Sequence, residues 1–147
     1  MPRHEESIVI ARPRQHVFEY MDDIEREPEW QPQLIEAEQT PPGPTVIGTR
    51  RRYVSEFLGK RLVNTYVVRE FEPNRRIVCE TTSDSVLNAT SDIRWEDVDG
   101  GTRVTMLLDG RATGVLRFVP NALLEATFEK EVRTTLARLK ERLEAGG

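Results

Sequence analysis

Apolar residues recur along the last long stretch of the chain in steps of four, four, four, three and four: Leu124, Phe128, Val132, Leu136, Leu139 and Leu143. This spacing places them on one stripe of a 3.6-residue helix and predicts an amphipathic helix from Pro120 to Leu143. Its other side carries Glu125, Glu129, Lys130, Arg133, Arg138, Lys140 and Arg142 and faces solvent. Glu129 stands one helical turn before Arg133, in the favourable order for a surface ion pair, contributing ~0.3 kcal/mol. A helix this long with one apolar face needs a broad surface to lie against, and the pattern upstream supplies a sheet.

Upstream the period shortens to two. Ser7 to Ile10 reads as a first strand. Pro13, suited to a first helical position, starts a short helix through about Asp23 that carries Val17, Phe18 and Met21, with Ile24 beyond. The two prolines of Pro28-Glu29-Trp30-Gln31-Pro32 forbid a long helix and predict a single turn that drops the indole onto the body of the protein. Leu34 to Thr40 is a strand, followed by the loop Pro41-Pro42-Gly43-Pro44. Longer strands follow at Thr49–Phe57, Arg61–Phe71, Arg76–Thr82, Leu87–Glu96 and Thr102–Asp109. Leu58-Gly59-Lys60, Pro73-Asn74 and Asp99-Gly100-Gly101 mark tight turns, so neighbouring strands pair antiparallel. Gly110 to Gly114 leads to the final helix, where Pro120 implies a kink or restart and Asn121 is the expected N-cap.

Alternation assigns the inner face of the sheet. Tyr53, Ser55 and Phe57, then Leu62, Asn64, Tyr66 and Val68, alternate with Arg50, Arg52, Glu56, Arg61, Thr65 and Arg69. Ile77, Cys79 and Thr81 continue the face, with Ala89, Ser91, Ile93 and Trp95, and with Val104, Met106 and Leu108. It is not uniformly apolar. Ser55, Asn64, Thr81, Ala89 and Ser91 are small or polar, and a buried polar group without a partner costs ~1–3 kcal/mol. A wet or ligand-filled cavity under the long helix would satisfy them.

Composition narrows the picture. The 147 residues fit one domain, with enough chain to bury a sizeable core. The single cysteine, Cys79, excludes an internal disulfide framework, and no Cys/His spacing suggests zinc or another metal. The charged N-terminal residues lack the apolar core of a signal peptide, and no apolar run approaches the roughly 20 residues that span a bilayer. The expectation is a cytoplasmic protein without stable membrane insertion. Its net charge of -4, from 25 acidic and 21 basic residues well mixed along the chain, argues against nucleic acid as a partner.

At the residue level the chain resembles the START/polyketide cyclase-like superfamily, also known as SRPBCC, and within it the small bacterial polyketide cyclase/dehydrase branch. The matching pieces are Pro13 to Tyr20, Pro28 to Pro32, Gly48-Thr49-Arg50, Glu70-Phe71-Glu72-Pro73, Gly101 to Thr105 and Leu136 to Lys140. They span nearly the whole chain in order. The resemblance implies a single domain over residues 1–147 with the α+β helix-grip fold: a curved antiparallel sheet of about seven strands around a long C-terminal helix, with two short helices after the first strand. It also implies a cavity between sheet and helix for a hydrophobic or amphipathic small molecule, with no cofactor. Members of the superfamily include lipid carriers, ubiquinone-binding proteins and aromatase/cyclases.

The candidate ligand-cavity residues are Trp30, Tyr53, Ser55, Phe57, Asn64, Tyr66, Ser91, Trp95, Met106 and Phe128. Tyr53, Asn64 and Tyr66 either orient a ligand carbonyl or hydroxyl, or fill core while the hydroxyls reach water. Trp30 reads equally as a lid and as a plug, and Cys79 as a small core residue. In Arg50-Arg51-Arg52 the strand alternation leaves only Arg51 able to point inward or lie at the rim, and the run reads as a solvated face. The only histidines, His4 and His16, fall outside the inner face, so no nucleophile–histidine pair is expected. No titratable group is placed inside, which favours a carrier over the two rivals, a polyketide-type cyclase or dehydratase and a ubiquinone-type lipid chaperone. The apolar segment Gly114 to Leu124 exceeds one buried stripe and reads as a gate, a homodimer patch, a transient membrane contact or a buried helix start.

Overall fold

A computed structural model of the chain describes residues 3–146 other than Leu58, and for Phe57 and Val115 the backbone alone. Seven strands, β1 (Arg3–Ile10), β2 (Leu34–Thr40), β3 (Arg50–Phe57), β4 (Lys60–Glu72), β5 (Arg76–Thr81), β6 (Leu87–Val98) and β7 (Gly101–Ala112), form one antiparallel sheet. Their spatial order is β1-β7-β6-β5-β4-β3-β2. From β2 to β7 each strand pairs with its neighbour in sequence, as short turns require, while β1 closes onto β7. Helix α1 (Arg14–Asp22), a 3-10 turn (Ile24–Arg26) and α2 (Glu27–Trp30) join β1 to the far edge strand β2. A second 3-10 turn (Gly114–Leu116) precedes the long helix α3 (Asn121–Glu144). This is the expected helix-grip architecture.

The differences from expectation lie at element ends. β1 begins at Arg3 rather than Ser7 because its pairing with β7 continues outward to Arg3 opposite Asp109. Strands β6 and β7 extend to pair Leu87 with Ala112 and Val98 with Gly101. At Gly101 a Cβ would lie 2.0 Å from the Ile10 carbonyl oxygen, so glycine is what lets the end of β1 close onto this turn. Pro120, not Asn121, occupies the N-cap position of α3, and no side chain caps the helix. The proline's extended ψ of 142° turns its carbonyl to accept from the Leu123 and Leu124 amides, both at 3.0 Å, so the helix restarts without an asparagine cap. Pro13 likewise sits one residue before α1 rather than at its first position.

The apolar stripe of α3 packs in two groups. Val132, Leu136, Leu139 and Leu143 join Ile10, Val17, Phe18, Trp30, Val68, Trp95 and Val104. Leu124 and Phe128 join Leu62, Leu87, Ala89 and Leu116. The expected surface pair is present, with Arg133 Nη2 2.9 Å from Glu129 Oε1. No described helix is long and apolar enough to cross a membrane.

Candidate functional site

A cavity of about 170 Å3 lies between the sheet and α3, with members of both apolar groups on its walls. Tyr53, Ser55, Asn64 and Tyr66 line it from β3 and β4, Ser91 and Trp95 from β6, and Met106 from β7. Trp30 lines it from α2. Two candidates stand apart. Phe128 is fully buried in the second apolar group and is not on the cavity wall. The side chain of Phe57 lies outside the described residues.

The aromatic walls are held in place by packing. Phe18 meets Trp95 edge-on, with ring centroids 4.9 Å apart and planes at 79°, and the Trp95 indole N–H points to Met21 Sδ at 3.2 Å. Tyr53 and Tyr66 pack edge-to-face at 5.8 Å. Asn64 is buried, and its Oδ1 accepts the Leu87 backbone N–H at 3.1 Å, pinning the start of β6 to β4. Trp30 is a wall rather than an exposed lid, only 2% exposed, and its Nε1 is buried without an acceptor among the described residues.

The expectation that the interior lacks titratable groups is overturned. Asp22, Glu27, Arg51 and Glu131 all line the cavity. Arg51, expected on a solvated face, is buried: on β3 it shares the parity of Tyr53 and Ser55, and the pleat turns it inward. Its Nη2 donates to Asp22 Oδ1 at 2.8 Å and to Thr45 Oγ1 at 2.7 Å, and its Nη1 lies 3.9 Å from Glu27 Oε1. Glu27, 2% exposed, accepts from the Tyr53 hydroxyl at 2.9 Å on Oε1 and from Gln31 Nε2 at 2.6 Å on Oε2. The hydroxyl of Tyr53 is thus committed to a carboxyl rather than to water.

Burial dominates the protonation chemistry of the site. It pushes the Glu27 carboxyl up to about 7 against the opposing pull of Arg51 and the Tyr53 hydrogen bond. Burial alone pushes Glu131 up to about 7. Glu131, on α3, has no hydrogen-bond or ion-pair partner among the described residues. Tyr53 and Tyr66 are both held above the usual phenol range by burial, with Glu27 adding to the shift of Tyr53. Burial likewise raises the Cys79 thiol to about 11, although the charge of Arg51 opposes it, so the thiol stays protonated and unreactive at neutral pH. No group of three or more His, Cys, Asp or Glu side chains able to hold a metal gathers among the described residues.

Signals for the missed groups were present. Glu131 lies three residues after Phe128 and four before the buried Thr135, steps that keep it at the margin of the apolar stripe. Glu27 directly precedes Pro28, the first of the two prolines that bracket Trp30, and the docking of that turn carries the carboxyl inside with the indole.

Residues 1–144 match the family described as polyketide cyclase/dehydrase and lipid transport, and the chain belongs to that family. No curated protein sequence matches the chain at a significant level. Among solved structures it is similar to a protein from Thermus thermophilus, with a TM-score of 0.83, 19% identity, and coverage of 99% of this chain and 100% of that one. It is also similar to a START superfamily protein from Mycobacterium smegmatis, with a TM-score of 0.80, 16% identity and 97% of both chains covered. A third is the Zhui aromatase/cyclase from a Streptomyces species, with a TM-score of 0.76, 18% identity, and coverage of 99% of this chain and 98% of that one. At these identities the likeness is one of fold.

Proposed function

We propose that the protein binds a compact, largely apolar small molecule in the cavity between the sheet and α3. The observation that carries this reading is the wall itself, in which Tyr66, Trp95 and Met106 present apolar surface while Glu27, Arg51 and Asn64 supply a few fixed polar groups. The volume of about 170 Å3 is close to that of an engineered cavity of roughly 150 Å3 that takes up benzene. It suits one or two rings better than a long isoprenoid or acyl chain, which weighs against a quinone-type lipid chaperone. Mass spectrometry of the gently purified protein, first native and then denatured, should release a defined small molecule, and Ser91→Trp, which fills the cavity, should abolish it. A protein that purifies empty and also fails to take up 2-phenylethanol would overturn the reading.

A second reading, a cyclase- or dehydratase-like enzyme, is favoured by one observation. Two cavity carboxyls, Glu27 and Glu131, are poised near neutrality, where a side chain can both give and take a proton. Turnover of a poly-β-keto mimic that disappears in Glu27→Gln and Glu131→Gln would establish it over the carrier.

A further inference from the structure

The two polar regions of the cavity are not equivalent. The cluster built by Asp22, Glu27, Arg51 and Tyr53 is internally satisfied: Asp22 and Glu27 flank the guanidinium, and each oxygen of Glu27 accepts a hydrogen bond from a side chain. The Glu131 carboxyl, on α3, has no such partner among the described residues, although it lines the cavity and its side chain is at least partly withdrawn from solvent. A ligand lying between α3 and the sheet would thus meet a carboxyl that no described protein group engages.

Charge points the same way. Among the described residues three carboxyls and one guanidinium line the cavity, and Arg51 is already matched by Asp22 at 2.8 Å, so the group left over is an acid rather than a base. The apolar remainder of the wall includes the rings of Tyr66 and Trp95, whose faces attract a cation. An anionic ligand would meet the unpartnered carboxyl of Glu131, whereas a protonated amine would meet that carboxyl and aromatic faces. Resting on the binding function proposed above, we infer that the ligand is a compact aromatic or alicyclic amine whose ammonium pairs with Glu131 while its ring lies against Tyr66 and Trp95.

The test is a calorimetric titration of the protein with four probes of one size: 2-phenylethylamine, 2-phenylethanol, acetophenone and phenylacetate. The amine should bind about tenfold or more tighter than the alcohol, as one added charge-assisted hydrogen bond implies, and phenylacetate should bind weakest. In Glu131→Gln the advantage of the amine over the alcohol should vanish, the two probes binding within about threefold of each other. If the alcohol binds but acetophenone or phenylacetate equals the amine, the inference is overturned and the binding function stands. An amine preference that survives in Glu131→Gln overturns it as well. Failure of all four probes on wild-type protein that purifies empty overturns both, and their failure after a co-purified non-amine has been removed overturns the inference alone.

Discussion

The Tyr53 hydroxyl donates to Glu27 Oε1 at 2.9 Å, joining the third strand of the sheet to a four-residue helix through a buried carboxyl. This hydrogen bond favours the ionised form of Glu27 and works against the burial that raises it. Tyr53→Phe should therefore push the Glu27 carboxyl still higher and cost about 1–2 kcal/mol in stability. Carbon-detected NMR titration of the Glu27 side chain together with urea unfolding would check both effects. A titration midpoint that falls or stays fixed in the variant would show that the bond does not act on Glu27.

Glu131 supplies a pH dependence of opposite sense to that of a salt-bridged carboxylate. Burial raises it from an ordinary value of 4.5 to about 7, so the folded protein holds this proton more tightly than the unfolded chain. The stability it contributes is complete below about 4.5 and is lost as pH rises through about 7. A shift of this size corresponds to on the order of 3 kcal/mol. Urea midpoints measured across that window should fall less steeply for Glu131→Gln than for the wild type, and parallel curves would count against the assignment.

Phe128 separates packing from binding. It is fully buried among Leu62, Leu87, Leu116 and Leu124, so Phe128→Ala should cost about 3–5 kcal/mol. Because the ring is off the cavity wall, the ranking of ligands by affinity should be unchanged in the folded variant. A reordered ranking would place Phe128 back in the site.

Residues 114–124 combine a buried Leu116 and Leu124 with Phe118 at 80% and Leu123 at 48% exposure. The Arg117 guanidinium lies over Phe118, 4.5 Å from its ring centre. Segments with few buried apolar contacts open most readily, so their amides should exchange faster than those of residues 128–139. Equal protection of the two stretches would argue against a gate at the start of α3.

The fold was legible because its signals are periodic. The four-and-three spacing from Leu124 to Leu143 and the alternation from Tyr53 to Leu108 each specify a face, and the two faces match. Strand ends were less legible, since β1 owes its first residues to pairing with a strand about a hundred residues away rather than to its own composition. Most of the cavity wall followed from alternation as well. Its charged members did not, for different reasons. Arg51 has inward parity, but its burial is made tolerable by the carboxyls of Asp22 and Glu27, and both come from helices whose docking the sequence does not display. Glu27 lies in a segment too short to show a period. Glu131 sits where the apolar stripe meets the polar one, and only the gap between the two packed groups decides which side it joins.

The pairing of β1 with β7, reinforced where Lys140 Nζ donates to the Val9 carbonyl at 2.7 Å and where Glu144 Oε2 accepts the Ala11 amide at 2.8 Å, has a consequence for synthesis. The ribosome delivers β1 before any of these partners, so that strand must wait through the emergence of six others with its backbone groups unpaired. Partial chains that end before β7 carry an open strand-pairing surface at the edge of β6 and a helix-less concave face, both prone to intermolecular association. Closure of the sheet is thus a late event in the life of each nascent chain, and the cavity exists only once the last helix has arrived to roof it.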